Sequence, residues 1–147
     1  MSPQSPSVTE LPRWARELIA GARVAHLGLL DGDGRPRVLP VTFAAIGGDL
    51  WSAVDHKPKA TAGRDLARVR WLRRRPDAAL TVDRYSDDWE RLAWVQALGT
   101  VDVLDVAEPA ALAALQAKYQ QYRERPPAGP FLRLAPERFL FWAADAL

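Results

Sequence analysis

The sequence predicts a mainly β fold with added helices (β+α), an antiparallel barrel whose openings are covered by helices. Three observations carry this. Two apolar runs flank the tetrapeptide Asp31-Gly32-Asp33-Gly34, a strong hairpin signal because these residues tolerate positive φ. Strand-like runs follow one another without the regular helical interruptions of βαβ units. The chain has 147 residues, enough for one core and too few for a second. Residues 1–8 are expected to be a flexible lead-in and 9–147 a single domain.

The elements follow in order. A first helix is expected from Thr9, a capping hydroxyl, with Pro12 in its first turn and Gly21 at its end. Leu11, Trp14, Ala15 and Leu18 share one face of it. Arg23–Leu30 and Arg35–Ala45 read as the hairpin strands, with Pro36 and Pro40 requiring an edge or a bulge. Gly47-Gly48-Asp49 turns the chain into a third strand, Leu50–Val54, completing a three-stranded meander. From Thr61 to Arg75 the period changes. Leu66, Val69 and Leu72 form an apolar stripe among arginines, and Pro76 ends this short basic helix. Ala78–Asp83 is a fourth strand and Leu92–Asp105 a long fifth one, kinked or bulged at Gly99. Pro109 opens another helix at its first position, with Leu112, Leu115, Tyr119 and Tyr122 inward, and Phe131–Trp142 supplies the last strand.

Composition narrows the function. Without cysteine there are no disulfides, thiolate metal sites or cysteine nucleophile. Met1–Val8 lacks the basic and apolar regions of a signal peptide, so a cytoplasmic location is expected. No apolar run approaches the roughly 18 residues that span a bilayer, so no membrane partner is expected. The net charge is only +2, but Lys57, Lys59, Arg64, Arg68, Arg70 and Arg73–Arg75 cluster around one acid, Asp65. Such a field suits a phosphate or nucleotide. Nucleic acid is not expected, because the apolar stripe commits one face of the helix to the core and no paired recognition helix accompanies it.

The segment after the third strand is the most informative. Asp55-His56-Lys57-Pro58-Lys59 leads into the basic helix, and two ammonium groups beside a helix start make an anion cradle. A solvated charged loop is the alternative. His26 and His56 lie too far apart in sequence, without a carboxylate pattern, to suggest a metal, and no metal site is expected. No nucleophile triad, Walker loop or G-x-G-x-x-G is present. Of the six tryptophans, Trp14, Trp71 and Trp142 fall on expected core faces. Trp89 and Trp94, flanking Glu90-Arg91, suit either the wall of a planar ligand or a subunit contact.

Taken together, Arg35-Pro36-Arg37-Val38-Leu39-Pro40-Val41, Asp55–Lys59, Leu72-Arg73-Arg74-Arg75-Pro76 and Val95–Val101, in this order, resemble the pyridoxamine 5′-phosphate oxidase-like split β-barrel superfamily. D-H-K-P-K with D-D-W-x-R-L-x-W-V resembles more narrowly its deazaflavin (coenzyme F420)-dependent branch, found in actinobacteria. The resemblance implies a homodimeric oxidoreductase with its cofactor at the subunit interface. Lys57 would hold the cofactor phosphate with Lys59 and His56 beside it. Val38, Leu39, Pro40, Val41 and Thr42 would face the ring, Ser52, Ala53 and Val54 would line the same cleft, and Trp89, Trp94 and Gln96 would come from the partner subunit. F420 would pass a hydride to a small unsaturated or carbonyl-containing acceptor. FMN-dependent chemistry and a carrier without turnover are the alternatives. Arg75 stands where the family usually has Asn, and His56 where FMN-binding members commonly have Arg. The C-terminal R-x-H of pyridoxamine phosphate oxidation is missing. No proton donor stands out; His56, Tyr85 and ordered water all remain open.

Overall fold

A computed structural model describes residues 4–5, 7–54 and 66–145. Among these residues eight strands form one antiparallel sheet: β1 (Gln4–Ser5), β2 (Ala25–Leu30), β3 (Pro36–Val41), β4 (Ala44–Ile46), β5 (Asp49–Ala53), β6 (Asp77–Arg84), β7 (Ala93–Leu104) and β8 (Phe131–Ala143). Among the described residues four helices flank it: α1 (Arg13–Gly21), α2 (Ala67–Arg74), α3 (Pro109–Lys118) and α4 (Gln120–Glu124). The strand order is β3-β2-β6-β7-β8-β5-β4, with β1 paired to β8. The β+α barrel expectation holds.

The expected meander does not. Arg35–Ala45 is two strands, and β3 and β4 lie at opposite ends of the sheet order although only Thr42 and Phe43 separate them. So short a link reaches at most ~10 Å. The sheet must therefore curl until its two edges approach, a barrel left unclosed at this corner. The Ser52 hydroxyl donates to the Thr42 carbonyl at 2.7 Å, tying β5 to the bend. β5 pairs not with the hairpin but with β4 and β8.

Other boundaries also shift. Where a flexible lead-in is expected, Gln4–Ser5 pair with Phe139 and Leu140 and Val8–Glu10 form a 3-10 turn. Ser7, not Thr9, caps that turn by accepting from the Thr9 N–H, and α1 begins only after Pro12. Ala15 and Ile19 of α1 are buried, and Trp14 meets Phe141 edge-on at 6.1 Å. Of the expected helix over 61–75, the first five residues lie outside the described residues, and α2 buries Val69 and Leu72 as the stripe predicts. Pro109 opens α3 and Gly99 marks a register shift opposite Pro136, both as expected.

Inside the barrel, Leu27, Leu80, Val95, Val101, Leu134 and Phe139 pack into the main core. A second cluster joins α3 and α4 to Ala44, Trp51 and Phe131 through Leu115, Tyr119 and Tyr122. The Tyr119 hydroxyl accepts from the Phe43 N–H at 3.1 Å and donates to the Arg23 carbonyl at 2.8 Å, while Tyr122 and Thr42 share a 2.6 Å hydrogen bond. Burial pushes the Tyr119 phenol pKa up, so it stays a donor. Tyr119→Phe is expected to destabilise the protein by about 2 kcal/mol in urea unfolding, because the Phe43 N–H loses its partner in a buried place. A loss below about 0.5 kcal/mol would mean that water takes over the bonds.

Candidate functional site

The hairpin turn sets the geometry of the β3 edge. Asp31 accepts the Asp33 and Arg35 N–H groups on its carboxylate at 2.9 and 3.0 Å. The Arg35 bond, foremost, holds its pKa below the usual carboxylate value. The Asp31 N–H donates to the Arg35 carbonyl, making that pair hydrogen-bonded. Alternation then leaves Leu30–Pro36, Gly28–Val38 and His26–Pro40 as non-hydrogen-bonded pairs. Pro36 and Pro40 thus turn their missing N–H outward from the sheet, the position that an edge tolerates. Between them, Val38 turns both its N–H and its C=O to the open edge, and the residue is 65% exposed.

Arg75 holds this hairpin from below. Its guanidinium donates to the Asp31 and Gly32 carbonyls at 3.2 and 3.0 Å and lies against Gly34, whose φ of +76° a side chain would strain. Arg73 pairs with Asp105 at 2.6 Å. These two arginines of the basic helix are therefore spent on structure, which narrows any groove for an anionic tail.

The sheet register aligns the outward side chains. Pro40, His26, Thr81, Gln96 and Leu140 lie in one row across β3, β2, β6, β7 and β8. Val38, Gly28, Ala79, Leu98 and Arg138 form the next. Trp94 stands between Asp83 and Trp142 on the same face. Trp142 is 41% exposed here and not in the core, because residues alternate faces and Phe141 takes the inward place. The Gln96 amide donates to Thr81 Oγ1 at 3.0 Å, leaving its carbonyl oxygen available.

The predicted site residues thus separate into groups. Val38, Leu39, Pro40 and Val41 follow β3, with Val41 buried and Leu39 turned inward. Thr42 and Ser52 meet at the corner, with Ala53 and Val54 buried behind. Trp94 and Gln96 lie three strands from β3, about 14 Å at ordinary strand spacing. Trp89 projects, 69% exposed, from a 3-10 turn capped by Asp88. His56, Lys57 and Lys59 lie outside the described residues. No group of His, Cys, Asp and Glu that would hold a metal occurs among the described residues. His26 and Thr81 are the additions: they bridge β3 to Gln96 in the outer row, and the period-2 pattern of β2 places His26 outward.

A concavity of ≈ 480 Å³ opens between α1, β4 and α3. Alanines line much of it, and Arg16, Arg23 and Lys118 surround it. The Lys118 ammonium sits 3.7 Å from the Phe43 ring centre. Burial, with help from Arg23, lowers its pKa to about 8. Between that value and the unfolded 10.5 the unfolded chain binds more protons, so the Lys118 contribution to stability rises with pH over this window. Any stability advantage of Lys118→Met over the wild type is therefore expected to shrink from pH 8 to pH 10.5 in parallel thermal melts; a constant difference would contradict the titration.

An unclosed antiparallel barrel with helices over its ends and a proline-flanked edge strand defines the split β-barrel class. The chain belongs to the pyridoxamine 5′-phosphate oxidase family, whose model matches residues 11–143. A conserved hypothetical protein of Mycobacterium tuberculosis superposes with a TM-score of 0.74 at 17% identity, over 97% of this chain and 91% of its own. An F420 reductase superposes at 0.65 and 19%, over 90% and 98%. A FAD-binding protein of Mesorhizobium loti gives 0.63 and 18%, over 89% and 94%. At such identities the likeness is one of fold. Among curated proteins none matches by sequence. No helix among the described residues is long and apolar enough to cross a membrane.

Proposed function

We propose that this protein is a cytoplasmic, homodimeric oxidoreductase that uses coenzyme F420 to reduce a small unsaturated or carbonyl-containing acceptor. The observation that carries the reading is the open edge at Val38. Its adjacent donor and acceptor match the N–H and C=O groups on the pyrimidine side of a flavin or deazaflavin ring, and the flanking prolines keep another strand from taking their place. When bound, the deazaflavin supplies the hydride. The chain's own residues hold and orient it. Thr42 and Ser52 fix the corner beside the ring, and Lys57 and Lys59 neutralise the phosphate. Trp94 and Gln96, too distant within one subunit, reach the ring from a partner whose outer sheet face packs against this one. Trp89 covers the cleft and excludes water.

The deciding experiment titrates the purified protein side by side with F420 and FMN, following cofactor fluorescence. Micromolar F420 binding with much weaker FMN binding is expected. A preference for FMN would move the protein to the FMN-dependent class, and tight F420 binding without reduction of any acceptor would make it a carrier.

A further inference from the structure

The groove between α1, β4 and α3 plays no part in that reading. Three elements each bring one cation to it: Arg16 from α1, Arg23 from the link to β2 and Lys118 from the end of α3. Among the described residues none of the three pairs with a carboxylate. Lys118 spends one donor on the Ile19 carbonyl, at 3.4 Å, and Arg23 lies over the Tyr119 ring at 4.7 Å. Burial, foremost, and the neighbouring Arg23 charge hold the Lys118 pKa down, the cost of keeping a cation here. Alanines line it, with Ala44 buried and Ala20, Ala45 and Ala117 exposed around it, so the groove stays open where larger side chains would fill it. Its ≈ 480 Å³ is the volume of a small-molecule site.

We propose that this groove binds an organic oxyanion, a carboxylate or phosphate head on an apolar body, with Arg16, Arg23 and Lys118 around the head and the alanine lining against the body. Guanidinium forks suit either head, and a bound anion offsets the repulsion between Lys118 and Arg23.

The test is calorimetric titration of the cofactor-free protein with octanoate, octyl phosphate and inorganic phosphate. At least one alkyl ligand is expected to bind about tenfold or more tighter than inorganic phosphate, and the better head identifies the oxyanion. Lys118→Met and Arg23→Gln, checked for native folding by thermal melts, are each expected to weaken it about tenfold or more. Ala20→Phe removes no charge and sits at an exposed helix position. It is expected to weaken the alkyl ligands by crowding the groove from its exposed side. The proposal is overturned if neither alkyl ligand binds at about 1 mM, if the folded charge variants and Ala20→Phe bind like the wild type, or if inorganic phosphate binds as well as the alkyl ligands. Because no redox cofactor is present, its failure leaves the F420 reading untouched.

Discussion

Replacing Gly99 by alanine is expected to destabilise the protein by about 3 kcal/mol or more, the largest effect of any single methyl addition in the sheet. β7 and β8 are the longest strands, and their register slips between Leu98 and Gly99, where Pro136 faces the bulge. A Cβ on Gly99 would overlap the Ala135 carbonyl oxygen and lie 3.0 Å from the Ala135 carbonyl carbon and 3.1 Å from Pro136 Cα. All of these are backbone atoms, so no side-chain rotation relieves the clash. The bulge must open or the two strands must re-register, and a one-residue slip would turn Val95 and Ala97 outward and Gln96 inward. Urea unfolding with an unchanged m-value would report the loss as pure stability. Wild-type stability in Gly99→Ala would mean that the strands separate freely at the bulge. Gly28→Ala is the control: its Cβ would meet Ala79 at ordinary contact distances of 3.7 and 3.9 Å.

The Gly99 bulge was legible because a glycine inside a long strand run has few other uses. The Asp31–Gly34 hairpin and the Gly47-Gly48 turn were legible for a similar local reason, with φ of +76°, +59° and +90° at Gly34, Gly47 and Gly48. The pairing of β5 with β8 and the transfer of the chain from one sheet edge to the other at Thr42 were not. Alternation along Arg35–Ala45 continues through the bend, and nothing in a strand's own residues names its neighbour. Trp142 shows the same limit. Being aromatic in an apolar run, it reads as core, but its neighbours Phe141 and Ala143 hold the inward positions. Of the proposed site, Val38 to Thr42 are suggested by the proline-flanked edge and the family pattern. His26 and Thr81 could not, because their nearness to Gln96 depends on a register spanning β2, β6 and β7. Arg75 reads as one more charge in a basic run, and its structural use emerges only when the hairpin folds back onto α2.

That division of the basic residues leads to the second large effect, on cofactor binding. Lys57→Ala is expected to weaken F420 binding about 100-fold, or about 2.7 kcal/mol, as befits truncating one half of a charge-assisted contact to phosphate. Lys57 follows Val54 by three positions, and Val54 closes β5 by donating its N–H to the Pro130 carbonyl at 3.0 Å. The preceding strand is therefore well anchored, and Ser52 within it already grips the Thr42 corner beside the Val38 edge. A phosphate near that corner needs a cation that is not engaged elsewhere. Arg73 and Arg75 do not qualify, since Asp105 and the hairpin carbonyls hold them. Arg73→Ala should accordingly leave F420 affinity within about twofold of wild type, as expected for removing an exposed ion pair. Trp94→Ala should weaken the cofactor while Lys57 remains intact, and the loss should follow dimer formation in sedimentation if the ring is closed by the partner. Equal losses in Lys57→Ala and Arg73→Ala would instead describe a diffuse basic field, with the phosphate held by no particular side chain.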